Sequence, residues 1–121
     1  MIKLTFALVR RAELSREAFQ AYWFDHHAPL VASVREILRI RRYVQTHSLP
    51  PEISEPLRQS RHAPQDYDGV AQLWWDSLDD VAVATADPAG VEAGRRLLED
   101  ERKFIDLGRS PLWWGEEKAI F

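Results

Sequence analysis

The chain has 121 residues and a formal net charge of −3, which suits one domain with a real core and leaves no broad electrostatic reason to bind nucleic acid or an anionic membrane. It contains no cysteine, so disulfides, thiolate catalysis and Cys-containing metal sites are excluded. No apolar run approaches a membrane span and Met1–Phe6 lacks the blocks of a signal peptide, so a single cytoplasmic domain over residues 1–121 is expected.

Ile2, Leu4, Phe6 and Leu8 alternate with Lys3, Thr5, Ala7 and Val9, the period-two pattern of a first strand. Ser15 follows as a helix N-cap, with Leu14 and Phe19 at the positions of a hydrophobic staple. The helix is predicted to run toward Ile37 and to bury Phe19, Trp23, Leu30, Val34 and Ile37. Within it, Tyr22–Leu30 sets two histidines and a proline into the apolar pattern. Pro29 lacks a backbone donor, frees the carbonyl of Asp25 and biases Ala28 away from helical dihedrals, so a kink or pause is predicted directly after His27. Unsatisfied carbonyls at such a break favour a protonated imidazole and burial favours a neutral one. A histidine balanced between the two suits proton transfer. At about 100° per residue His26 and His27 flank the apolar stripe on either side, and periodicity does not choose between them.

Leu38–His47 reads as a second strand, with Tyr43, Gln45 and His47 on one face and Ile40, Val44 and Thr46 on the other. The basic run from Arg35 to Arg42 lacks interleaved aromatics and reads as a solvated helix end and strand edge. Residues 48–67 hold four of the seven prolines and are predicted to form a long irregular loop, a lid or a spacer. Val70–Asp76 reads as a third strand. Ser77 caps a short helix to about Ala86, and Asp87-Pro88 opens another that is predicted to bury Val91, Leu97, Leu98, Phe104 and Ile105. Asp100 and Asp106 read as solvated helix charges. Leu112–Phe121 closes the chain as a fourth strand. The order β-α-β-β-α-β, with its second helical region broken in two, predicts an α+β ferredoxin-like sandwich with a four-stranded antiparallel sheet.

Trp74-Trp75 and Trp113-Trp114 are adjacent pairs on predicted strands, so each pair places bulk on both faces of the sheet. Helices cover one face. A second subunit is the simplest cover for the other, which predicts a homodimer built sheet to sheet.

Several segments, in this order, resemble the EthD-domain family of the dimeric α/β-barrel superfamily. They are Phe19-x-x-Tyr22-Trp23, His27-Ala28-Pro29-Leu30-Val31, Tyr43-Val44-Gln45-x-His47, Tyr67-Asp68-Gly69-Val70-Ala71, Trp74-Trp75-Asp76-Ser77, Asp100-Glu101 and Phe104-Ile105-Asp106. The resemblance implies a ferredoxin-like protomer that pairs with its mate to form a barrel, with a pocket between sheet and helices. It also prefers His27 over His26 as the pocket histidine. The wider superfamily includes cofactor-free cyclases, dehydratases, decarboxylases, lactone isomerases and monooxygenases, and haem-degrading members. Relatives often carry a histidine in the last strand where this chain reads Glu116-Glu117-Lys118.

These readings predict a cofactor-independent lyase, isomerase or cyclase acting on a small apolar or aromatic carbonyl compound. His27 is the expected general base or acid, Tyr43 the hydrogen-bond donor to a developing enolate oxygen, and His47 the third candidate on the same strand face. Tyr22, Trp23, His26, Asp68, Trp74 and Phe104 are the expected substrate contacts. No metal site is expected, because no HxxxH or chelating carboxylate pair occurs, and no phosphate loop, nucleophile elbow or dinucleotide fingerprint is present. A small-molecule binding protein without chemistry is the alternative, followed by a haem- or oxygen-using monooxygenase.

Overall fold

A computed structural model of the chain describes residues 1–121 throughout. Strands β1 (Ile2–Leu8), β2 (Arg42–His47), β3 (Gly69–Trp75) and β4 (Leu112–Glu116) form one four-stranded sheet in the order β2-β3-β1-β4, and every pairing is antiparallel. The two crossovers place helices on one face only, which gives the predicted ferredoxin-like α+β sandwich. The inner face carries Leu4, Phe6 and Leu8 opposite Leu73 and Ala71. No helix is long and apolar enough to cross a membrane.

The first crossover starts as predicted. Ser15 Oγ accepts the backbone N–H of Ala18 at 3.1 Å and opens helix α1 (Arg16–Tyr22). The regular α-helix is interrupted at His27 as predicted, but Ala28 is not pushed out of the helical region. Ala28 keeps helical dihedrals (φ −58°, ψ −44°), and the chain passes through a π-helical turn, Trp23–His27, before α2 (Ala28–Ser33). The Ala28 N–H reaches back to Trp23 O, an i→i−5 bond that takes up an extra residue in the turn before Pro29. Spacing through the π turn is therefore four residues. Phe19, Trp23, His27, Val31, Val34 and Leu38 form the buried stripe, while Ile37 is exposed and Leu30 is only partly covered. Helix α3 (Arg35–Leu38) ends at Arg39 in the left-handed region (φ 59°), so Leu38 belongs to a helix and the second strand begins later than predicted, at Arg42.

The predicted irregular loop at 48–67 contains a helix, α4 (Pro51–Ser60). Proline clustering does not exclude a helix here: Pro51 sits in the first turn, where its missing N–H costs nothing, and Pro56 is accommodated inside the helix. None of the helix's residues is buried. The second crossover is split into α5 (Leu78–Ala86) and α6 (Pro88–Glu101), capped by Ser77 and Asp87 as predicted. Its buried face differs from the expectation. Val91 and Leu98 are exposed, and Ala93, Asp100, Phe104 and Ile105 are buried, because the stripe follows 93, 97, 100 and 104. The last strand stops at Glu116, and Ile120 and Phe121 lie in solvent.

The outer face of the sheet has no helix over it. Trp74 lies there, buried by Lys3, by the Arg42 guanidinium 4.7 Å from its ring centroid, and by Glu117, whose carboxylate accepts its indole N–H. Trp113, opposite Thr5 on the same face, is 51% exposed. Trp75 occupies the inner face, where its indole N–H donates to Leu38 O at 2.7 Å.

Candidate active site

Between the inner face of the sheet and the helices lies a cavity of about 140 Å³, nearly all of it apolar. An apolar cavity of about 150 Å³ accommodates a benzene ring. Of the groups lining it, His27, Tyr43 and Glu101 are the ones that can hold or move a proton; Trp23, Leu73 and Trp75 are among the apolar walls.

His27 is 6% exposed. Its Nδ1 lies 2.7 Å from Oδ2 of Asp100, and the Tyr22 hydroxyl donates to Oδ1 of the same carboxylate at 2.6 Å. Burial would push the Asp100 pKa up, but the hydrogen bonds from Tyr22 and His27 outweigh it and hold the group below the usual carboxylate range. Asp100 is thus an anion that accepts an Nδ1 proton, which leaves His27 Nε2 as the ring nitrogen without a protein partner. Burial lowers the His27 pKa, and Asp100 opposes this only in part. The imidazole is neutral at neutral pH, with a free lone pair. Phe104 packs 5.1 Å from the imidazole, centroid to centroid, and fixes its tilt.

Tyr43 enters the cavity from β2. Its hydroxyl oxygen accepts Gln45 Nε2 at 2.7 Å, and His47 Nε2 lies 2.8 Å from Gln45 Oε1, which sets the amide's orientation. The phenolic proton remains free to donate. Burial, the largest influence, raises the Tyr43 pKa and keeps the phenol protonated.

Glu101 is the last residue of α6 and has no hydrogen-bond or ion-pair partner. Burial, and secondarily the charge of Asp100, push its carboxyl up to about 7; the carbonyl end of the helix acts in the same direction.

The fold brings together only part of the predicted constellation. His27, Tyr43 and Trp23 line the cavity. His47 does not; it stacks on Trp23 with centroids 4.5 Å apart and touches the Gln45 amide. Tyr22 reaches Asp100 rather than the cavity, and Phe104 backs His27. His26 is exposed beside Tyr22, because the π turn rotates His27 into the stripe instead. Trp74 is on the opposite face of the sheet. Asp68 is buried elsewhere, where it accepts the Arg10 N–H at 2.8 Å and pairs with the Arg10 and Arg16 guanidinium groups at 2.7 and 3.1 Å. Asp100, predicted to be solvated, is 9% exposed, and Glu101 carries no predicted role of its own. The spacing Ala93, Leu97, Asp100, Phe104 was the signal for both, since it continues the apolar stripe through an acidic pair. No three His, Asp or Glu side chains are grouped to hold a metal ion.

A family model, the EthD domain, matches residues 11–108. The chain belongs to the EthD domain family. It is similar to a conidial pigment biosynthesis dehydratase EthD of Metarhizium robertsii, with 30% identity over 120 residues, covering 95% of this chain and 81% of that protein. Similarity to the dehydratase aurZ of Gibberella zeae is 27% over 120 residues, 95% of this chain and 76% of that one. Among solved structures, an EthD-family protein of Bacillus halodurans superposes with a TM-score of 0.62 at 23% identity, covering 98% of this chain and 100% of that one. A dimeric protein of ferredoxin-like fold from Bacteroides fragilis superposes with a TM-score of 0.59 at 14% identity, covering 96% and 95%. These two likenesses concern the fold alone.

Proposed function

We propose that this EthD-domain protein is a cofactor-independent lyase of the dehydratase kind, acting on an uncharged, aromatic or polyketide-like β-hydroxy ketone. The observation that carries the reading is the buried His27–Asp100 pair, which keeps a neutral imidazole at the wall of an apolar cavity with Nε2 unpartnered. Two curated relatives described as dehydratases support the same class.

The chemistry follows from the protonation states. His27 Nε2 takes the proton from the carbon α to the carbonyl, and the electron pair moves into the enolate. Tyr43 donates a hydrogen bond to the developing oxyanion. The imidazolium, steadied by Asp100, then returns the same proton to the β-hydroxyl as the C–O bond breaks, and water leaves with no net change in the enzyme. The apolar walls bind the ring and exclude competing water.

The test uses 3-hydroxy-1-tetralone, which becomes 1-naphthol on loss of water. Turnover by the wild type that falls about 100-fold to 10,000-fold in a folded His27→Ala protein supports the reading. No naphthol from the wild type, or equal rates in both proteins, sinks it.

The same reading includes a homodimer closed over the outer face. Support comes from Trp113, half exposed beside Thr5 on a face without helices, and from the dimeric description of the Bacteroides fragilis structure.

A further inference from the structure

Glu101 is unexplained by the proton transfers assigned above. It lines an apolar cavity, lacks any partner, and ends a helix whose carbonyl dipoles oppose a negative charge there. Glu101 is half-buried, and a carboxylate there would face apolar walls with no counter-charge, whereas a carboxylic acid is a neutral donor. Tyr43, from β2, lines the same cavity; burial is the main influence that raises its pKa, and a charge on Glu101 would act in the same direction. Gln45 occupies an acceptor site of the Tyr43 oxygen, which leaves the phenolic proton without a partner. Below neutrality the cavity thus has two neutral hydrogen-bond donors and one base, and at no pH does it hold a fixed cation, so an anionic substrate finds no counter-charge there.

We propose that Glu101, as a neutral carboxylic acid, and Tyr43 form a two-donor hole for the carbonyl oxygen of an uncharged aryl ketone. The assignment rests on the acid–base reading of His27 and deepens it. A protonated carboxyl beside a tyrosine is a known solution for holding an enolate oxygen, since both donors strengthen as charge develops. No bond to Glu101 forms or breaks. Its proton is shared with the ketone or enolate oxygen and stays on the carboxyl through the cycle, while the migrating proton travels only between the α-carbon, His27 and the departing hydroxyl.

Of the titratable groups near Glu101, His27 from the π turn and Tyr43 from β2 line the same cavity, and Asp100 precedes it on α6 with Lys103 3.7 Å from its carboxylate. Asp100 is ionised and Tyr43 is protonated across neutral pH, and the shift of His27 places its titration on the acid side. A group that titrates near neutrality is therefore Glu101.

The probe is 1-tetralone, an aryl ketone that has no titrating group and cannot lose water. Calorimetry on the full chain between pH 6 and 8.5 is expected to show an affinity that weakens above neutrality, by up to about tenfold per pH unit. The Glu101→Gln protein keeps an amide donor and is expected to bind with a flat profile. Independently of any variant, the carboxyl carbon-13 resonance of Glu101 in the wild type is expected to titrate near pH 7, and at higher pH when the ketone is bound. A flat wild-type profile, an unchanged slope in Glu101→Gln, absence of ketone binding, or a Glu101 titration at ordinary carboxylate pH would each overturn the proposal. Dehydration of 3-hydroxy-1-tetralone alongside flat ketone binding removes the Glu101 assignment alone. Ketone binding linked to Glu101 without any dehydration sustains the two-donor hole and removes the dehydratase reading.

Discussion

Asp100 Oδ2 lies 2.7 Å from His27 Nδ1, although 73 positions separate the two residues in the chain. The contact joins the π turn of the first crossover to the last turn of α6. It determines which nitrogen of His27 carries the proton, and so which one is free to act.

Asp100→Asn tests that relationship. An amide cannot hold the imidazolium and can reverse the tautomer, so turnover of 3-hydroxy-1-tetralone is expected to fall by about 100-fold or more. Loss of the Asp100 charge also removes the influence that props up the His27 pKa, so NMR titration should place His27 lower still than in the wild type.

The rate–pH profile follows from the two perturbed groups. Activity needs His27 neutral and Glu101 protonated. It is expected to rise with pH on the acid side, below the ordinary histidine range, and to decline above about 7 as Glu101 ionises. In Glu101→Gln the descending limb should disappear and the ascending limb remain.

Glu101 also predicts a pH-dependent stability difference. Its folded pKa is raised, so the folded chain binds more protons than the unfolded one between the ordinary glutamate pKa and about 7. The stability this gives is full below that window and lost as pH rises through it. Replacing it with Gln is therefore expected to be more favourable at pH 8.5 than at pH 5, by on the order of 1–2 kcal/mol in urea melts. An equal difference at both pH values would contradict the burial assigned to this carboxyl.

Two glycines separate packing from backbone freedom. A Cβ on Gly69 would overlap the Trp23 ring and come within 2.9 Å of Thr46 O, whereas one on Gly94 meets nothing within 4 Å. Gly69→Ala should cost about 1–3 kcal/mol by overpacking at Trp23. Gly94→Ala, inside α6, should stabilise by about 0.5–1 kcal/mol. Chemical melts of the two proteins check both signs.

Asp68 is expected to matter for folding and not for chemistry. Asp68→Ala leaves the Arg10 N–H and the Arg16 guanidinium short of a buried partner and should cost about 3 kcal/mol. Turnover per folded molecule should be unchanged, since Asp68 lies away from the cavity.

Trp113→Glu tests the assembly. Placing a charge on the uncovered face opposite Thr5 should convert a dimer to a monomer in sedimentation measurements. A wild-type monomer would instead mean that the exposed indole has no partner subunit to cover it.

Local sequence determined the number and order of the strands, their alternation and the Ser15, Ser77 and Asp87 caps, though not where β2 begins or β4 ends, because periodicity and capping depend on neighbours a few residues apart. It also marked His27 and Tyr43, and the family resemblance carried the choice of His27. Tertiary structure decided the rest. The interruption at His27 is a π turn, which shifted the buried stripe from Leu30 and Ile37 to Val31 and Leu38 and turned His27 inward, since one extra residue in a helical turn changes the phase of everything after it. Distance in the chain hid the partners: Asp100 and Glu101 read as ordinary acidic residues at a helix end until the last turn of α6 packed against the first crossover. Burial then made one carboxylate the anchor of His27 and left its neighbour unpaired in an apolar cavity, a distinction that depends on surroundings and that two adjacent acidic letters do not contain.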